Sequence, residues 1–126
     1  MAIIASIFVA LAALLHGYIF LMESVWWSRP STWKRFGVSD QAAADTTKPM
    51  AYNQGFYNLF LGLGAAIGLV LYWAGSGAVG TTLVLFTTAC MVLAAAVLTT
   101  SGRRYLRPAL IQGTLPLIGF VLFLFA

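Results

Sequence analysis

Charge is what this sequence has least of. Aspartate, glutamate, lysine and arginine make up 8% of its 126 residues, against 61% for hydrophobic types. A soluble domain carries about 25% charged residues, so the composition excludes a water-solvated globular fold and indicates a membrane protein. Cysteine is reduced to one, Cys90, which excludes a disulfide within the chain and any all-cysteine metal cluster. Inside its apolar run that thiol reads as a packed small side chain. The single histidine, His16, has only a distant acid and a distant thiol to join it, short of the three or four ligands a metal site needs. A haem held by His16 alone has no support elsewhere in the sequence, and no cofactor is assigned. A Gly-x-Ser-x-Gly elbow, a P-loop, a dinucleotide fingerprint and a paired-histidine metal motif are all missing. Internal repeats and low-complexity stretches are missing too.

What is present is four apolar runs, near residues 2–27, 49–73, 79–100 and 108–126. Each supplies the roughly 20 helical residues that cross a bilayer core. Lipid leaves open backbone groups without partners, so the runs must be helices. Connections are short after the first, which predicts an all-α, integral membrane four-helix up-down bundle forming one domain over residues 1–126. The first run has no basic leader and exceeds the usual signal core of about 7–15 residues, so it is expected to remain as a helix.

All seven basic residues fall in two connections: Arg29, Lys34, Arg35 and Lys48 in residues 28–48, and Arg103, Arg104 and Arg107 in residues 101–107. The stretch from Ala74 to Ala78 has none. Under the positive-inside rule both basic loops are cytoplasmic and both termini lie outside. The net charge of +4 is explained by this topology, and it forms no separate basic patch of the kind that would take nucleic acid. The lipid bilayer is the implied partner. Within the first loop, Ser31–Phe36 mixes aromatic and basic residues as a short interfacial helix does, with Gly37 to stop it and Ser39 to cap a further turn over 40–44. Pro49 and Pro108 fall where the second and fourth helices are expected to begin. Gly64-x-x-x-Gly68 permits close helix approach, either inside the bundle or at a homodimer face.

The stretch from Tyr52 to Asn58 concentrates polar side chains at the start of an otherwise apolar run. Such groups are costly in hydrocarbon unless they find partners, so they are expected to point inward or line a wet cavity. Counting along antiparallel helices places Glu23, Asn53 and Gln54 at one depth, with Tyr57 and Asn58 rising toward His16 and Gln112 at a similar level on the last helix. His16 and Glu23, two turns apart, share a face. One polar pocket in the cytoplasmic half is therefore predicted, lined by His16, Glu23, Asn53, Gln54, Tyr57, Asn58 and Gln112.

Each of these residues also has a plainer role. Glu23 is either a proton acceptor or cation ligand, or an interfacial carboxylate paired with Arg104, Arg107 or Lys48. His16 is either a general base or proton relay, or a neutral imidazole bonded to Tyr57, Asn58 or Gln112. The carboxamides either hold a ligand or join helices. Ser6, Thr81, Thr82, Thr87 and Thr88 read as hydroxyls bonded back to their own helices.

His16-Gly-Tyr-Ile-Phe-Leu-Met-Glu23 followed by Asn53-Gln-Gly-Phe-Tyr-Asn58 resembles the domain of unknown function 1304 family, small bacterial four-helix membrane proteins. The resemblance covers nearly the whole chain. It implies four membrane helices, a bacterial cytoplasmic (inner) membrane location and no settled activity, with His16, Glu23, Asn53, Gln54, Tyr57 and Asn58 as signature positions. Three functions fit these residues. The first is binding, with transport as one use of it, of a small polar or amphipathic molecule or lipid headgroup. Transport would call for a homodimer, since the chain has no room for inverted repeats. The second is a membrane enzyme using His16 as base, and the third is a structural or accessory subunit.

Overall fold

An apolar run without water must close its own backbone hydrogen bonds, and this chain does so throughout. The computed structural model describes residues 1–126. It is an all-α helical bundle, 86% helical and without strands. Helix α1, Ala2–Phe20, runs on into a π-helical turn at Leu21–Val25, where the Trp26 amide reaches back to the Leu21 carbonyl at 2.8 Å. Helix α2, Pro30–Trp33, and a 3-10 turn at Lys34–Phe36 occupy the first connection. They stop at Gly37, whose φ of 73° is the left-handed conformation that glycine adopts without cost. Then follow α3, Gln41–Trp73, α4, Gly77–Thr99, a 3-10 turn at Arg103–Tyr105 and α5, Leu106–Phe123. Four segments are long and apolar enough to cross a membrane: Ala2–Val25, Gln41–Trp73, Gly77–Thr99 and Arg103–Phe123.

Several boundaries differ from those read in the sequence. The second long helix does not begin at Pro49 but at Gln41, and Pro49 lies inside it. The cap is Asp40, not Ser39: the Ala43 amide donates to Asp40 Oδ1 at 2.8 Å, and the Ser39 hydroxyl donates to Asp40 Oδ2 at 3.2 Å. Those donors hold the Asp40 carboxyl below the usual carboxylate range. Pro49 deprives the Asp45 carbonyl of its helical donor, but Asp45 is exposed, where solvent replaces it. A helix of 33 residues is about 50 Å long against a hydrocarbon core of about 30 Å. The turns before Pro49 therefore extend beyond the core. At the other end, α5 starts at Leu106, so Pro108 sits in its first turn, where a missing N–H costs nothing.

The chain divides into two compact units, Met1–Leu15 with Leu61–Ala126, and His16–Phe60. In the first, the glycines of α3 fix the register against α4. A Cβ at Gly64 would lie 2.6 Å from Thr87 Cγ2, one at Gly68 2.8 Å from Val84 Cγ2, and one at Gly80 2.6 Å from Tyr72 Cα. These pairs step in opposite directions along the two helices, which are therefore antiparallel. The Gly64/Gly68 face is filled by α4, so it is not free to form a homodimer face. Ala5, Val9, Ala12, Ala65, Val84, Met91 and Phe123 form the core of this unit. Ser6 does not bond back to its own helix as expected, but accepts from Trp73 Nε1 at 3.1 Å, tying the start of α1 to the end of α3. Thr87 and Thr88 do bond back, to Leu83 and Val84 carbonyls. Val79, Phe86, Leu93 and Val97 form an exposed apolar stripe on α4, as a lipid-facing surface requires.

In the second unit Trp27, Trp33, Ala44 and Ala51 form a small core with Phe36 and Val38 against it. Trp27 Nε1 donates to the Ala44 carbonyl at 2.9 Å and Trp33 Nε1 to Gln41 Oε1 at 3.2 Å. These anchors hold the extra turns of α3 that precede Pro49.

The glycine contacts give an expected pair of outcomes. Gly80→Ala drives a methyl into the Tyr72 backbone and should lower stability in detergent by about 1–3 kcal/mol. A methyl at Gly17 would meet nothing within 4 Å, and Gly17→Ala should leave the thermal midpoint unchanged or raise it. Paired thermal melts measure both.

Candidate functional site

The site is built where α1 and α3 approach within the unit His16–Phe60. From the end of α1 through the π-helical turn to the residues just after it, the buried positions recur as His16, Ile19, Glu23 and Trp27. On α3 the inward positions are Ala51, Gly55 and Asn58, spaced four and three apart. Small residues on the α3 side let the helices meet closely. A Cβ at Gly55 would lie 3.0 Å from Glu23 Cβ and 3.0 Å from the Ser24 amide nitrogen, and would collide with Ser24 Oγ. That hydroxyl donates to the Tyr52 carbonyl at 2.8 Å. Phe56 packs edge-on against Phe20 at 5.1 Å between ring centres, and against Tyr52 at 5.0 Å.

This approach brings Glu23 and Asn58 together. Asn58 Nδ2 donates to Glu23 Oε2 at 3.0 Å and to the Gln54 carbonyl at 3.1 Å. Both amide protons are thereby used, and a flipped amide would set its oxygen against two acceptors, so the orientation is determined. Glu23 is 9% exposed. Its bonded partner is Asn58, and within this unit it forms no ion pair with Lys48. No sealed polar side-chain atom in the structure lacks a partner. The second carboxylate oxygen of Glu23 and the carbonyl oxygen of Asn58 therefore reach accessible space. Both are acceptors. Glu23 also sits in the π-helical turn, an irregularity that recurs at functional positions in helices.

The remaining sequence candidates are distributed differently. His16 is buried at 1% exposure and has an interaction partner. Asn53, Gln54 and Tyr57 are exposed, so the inward orientation expected of the whole Tyr52–Asn58 stretch holds for Asn58 and not for them. Helical phase is the reason: with Ala51, Gly55 and Asn58 facing α1, residues 53, 54 and 57 fall on the flanks. Gln112 belongs to the other unit, half-buried on α5. Ser24 and the Phe20–Phe56 contact were not singled out in the sequence. The glycine at the centre of Asn53-Gln-Gly-Phe-Tyr-Asn58 is the signal that marks a close helix crossing there. No group of three or more histidine, cysteine, aspartate or glutamate side chains is placed to hold a metal ion.

Four helices long and apolar enough to cross a membrane, with a part-buried carboxyl–carboxamide pair, mark a small multi-pass membrane protein. The chain belongs to the family described as "Protein of unknown function (DUF1304)", whose model matches residues 10–124. No curated protein and no solved structure matches it.

The Gly55 contact can be measured directly. Gly55→Ala should destabilise the protein by about 1–3 kcal/mol. Ser24→Ala, which removes the hydroxyl in the way, should recover part of that loss in the double variant. Strict additivity in this cycle would show that the two side chains do not meet.

Proposed function

We propose that the chain is a multi-pass protein of the bacterial cytoplasmic (inner) membrane that binds a small polar or amphipathic molecule at Glu23 and Asn58. The observation that carries this reading is a buried carboxylate at the end of a membrane-spanning segment with one amide donor and no cation. A carboxyl group in such a place is costly unless a partner or water is supplied. The site presents two acceptor oxygens to accessible space, which calls for a ligand with hydrogen-bond donors: an ammonium, or the hydroxyls of a polyol or headgroup. Gln54 and Tyr57, exposed on the shoulders of the same stretch of α3, are available to the rest of the molecule. Movement of the bound molecule across the bilayer would be one use of such a site.

Orientation follows from charge. Residues 28–48 and 101–107 carry every lysine and arginine, and this asymmetry supports placing both on the cytoplasmic side with the two termini outside. Glu23 and Asn58 then lie in the cytoplasmic half.

Two experiments test this. The molecules that co-purify in mild detergent are compared by mass spectrometry between the wild type and Glu23→Gln/Asn58→Ala. A donor-bearing molecule held by the wild type and lost from the variant is expected, and identical bulk lipid in both samples would refute the binding role. For orientation, single cysteines are placed in a Cys90→Ala background. A cysteine at Ser76 should react with an impermeant maleimide on intact cells, and one at Ser101 only after lysis.

A further inference from the structure

A second site of opposite chemistry lies in the same unit, around the end of α1 and the loop that follows. Tyr18, Trp26, Arg29, Ser31, Thr32 and Arg35 line a cleft of about 110 Å³. Its walls are arranged by internal contacts. The Tyr18 and Trp26 rings meet edge to face at 6.2 Å, and the Arg29 guanidinium lies 5.3 Å from the centre of the Trp26 ring. Arg35 Nη1 donates to the Tyr18 hydroxyl at 3.0 Å. The chain's three acids are Glu23, Asp40 and Asp45, and none lines the cleft. Neither guanidinium has an ion-pair partner, and most of their N–H donors are unspent.

We propose that this cleft binds a phosphate-bearing anion, with the phosphate held between Arg29 and Arg35. Guanidinium groups suit the purpose because their fixed fork of donors matches phosphate oxygens. The hydroxyls of Ser31 and Thr32 add donors of the same kind. The volume accommodates a group the size of a phosphate. Trp26 is the first residue after the membrane-spanning segment Ala2–Val25, so the cleft opens at headgroup level. An anionic phospholipid fits that position. A free phosphate compound shares the same chemistry. Ring contacts from Trp26 and Tyr18 hold the two arginines in place, which lowers the ordering cost of binding. The inference does not depend on Glu23 and Asn58 binding anything.

Native mass spectrometry of the detergent-purified protein, titrated with phosphatidylglycerol or with inorganic phosphate, tests it. The wild type should hold phosphatidylglycerol at least about tenfold more tightly than Arg29→Gln/Arg35→Gln. Arg103→Gln/Arg104→Gln, which removes the same charge from residues that do not line the cleft, should stay within about twofold of wild type. A thermal midpoint for Arg29→Gln/Arg35→Gln equal to that of the wild type shows that its loss of binding is not a collapse of the loop. If inorganic phosphate binds alone and displaces the lipid, the cleft serves a soluble phosphate compound. Equal losses in the two arginine-pair variants, or no binding of either probe by the wild type, would overturn the proposal.

Discussion

A leucine buried between two helices in a membrane gains little over a leucine facing lipid, because hydrocarbon is as apolar as the protein interior. Association must then come from close contact, and the structure is arranged around that constraint. Gly64, Gly68 and Gly80 bring α3 and α4 within backbone reach of one another in one unit. Gly55 does the same for α1 and α3 in the other. Larger apolar side chains are turned outward: Ile67, Val70, Val79, Phe86 and Leu93 are all exposed. In water that pattern would be unstable. In lipid it is what packing of small against small produces.

Close approach also decides where polarity can be placed. Along the inward face of α3, Ala51, Gly55, Gly62 and Ala65 are buried, and Asn58 is the single strongly polar member of the series. Its amide spends both protons on Glu23 and on its own helix. A carboxylate is thereby held inside with acceptor oxygens still accessible, so the pair is short of donors. The cleft beside Arg29 and Arg35 has the reverse character, donors without acceptors. Within one unit of 45 residues, His16–Phe60, the chain thus keeps two complementary electrostatic environments.

Much of the fold is legible in the residues. Four apolar runs in the sequence correspond to four helices of membrane-spanning length, and Gly37 ends the interfacial helix where a left-handed residue is needed. The start of α3 was not legible, because Pro49 and Ser39 are stronger local signals than Asp40. Packing of Trp27 and Trp33 against Ala44 and Ala51 outweighs the proline. Of the polar stretch Tyr52–Asn58, composition alone suggests a shared destination. A helix can turn only some of seven consecutive residues inward, and the glycine decides which.

The sequence by itself determined the number of spans, the two loops that carry the positive charge, and the presence of an acid and several carboxamides where lipid makes them costly. Those properties depend on composition and on hydropathy over some twenty residues at a time, so no contact is needed to read them. The tertiary structure alone decided that Glu23 meets Asn58, that Asn53, Gln54 and Tyr57 face away, and that Arg29, Arg35 and Trp26 line one cleft. Those outcomes depend on the rotational phase of each helix. A π-helical turn at Leu21–Val25 and a glycine contact at Ser24 fix that phase only when the helices are packed.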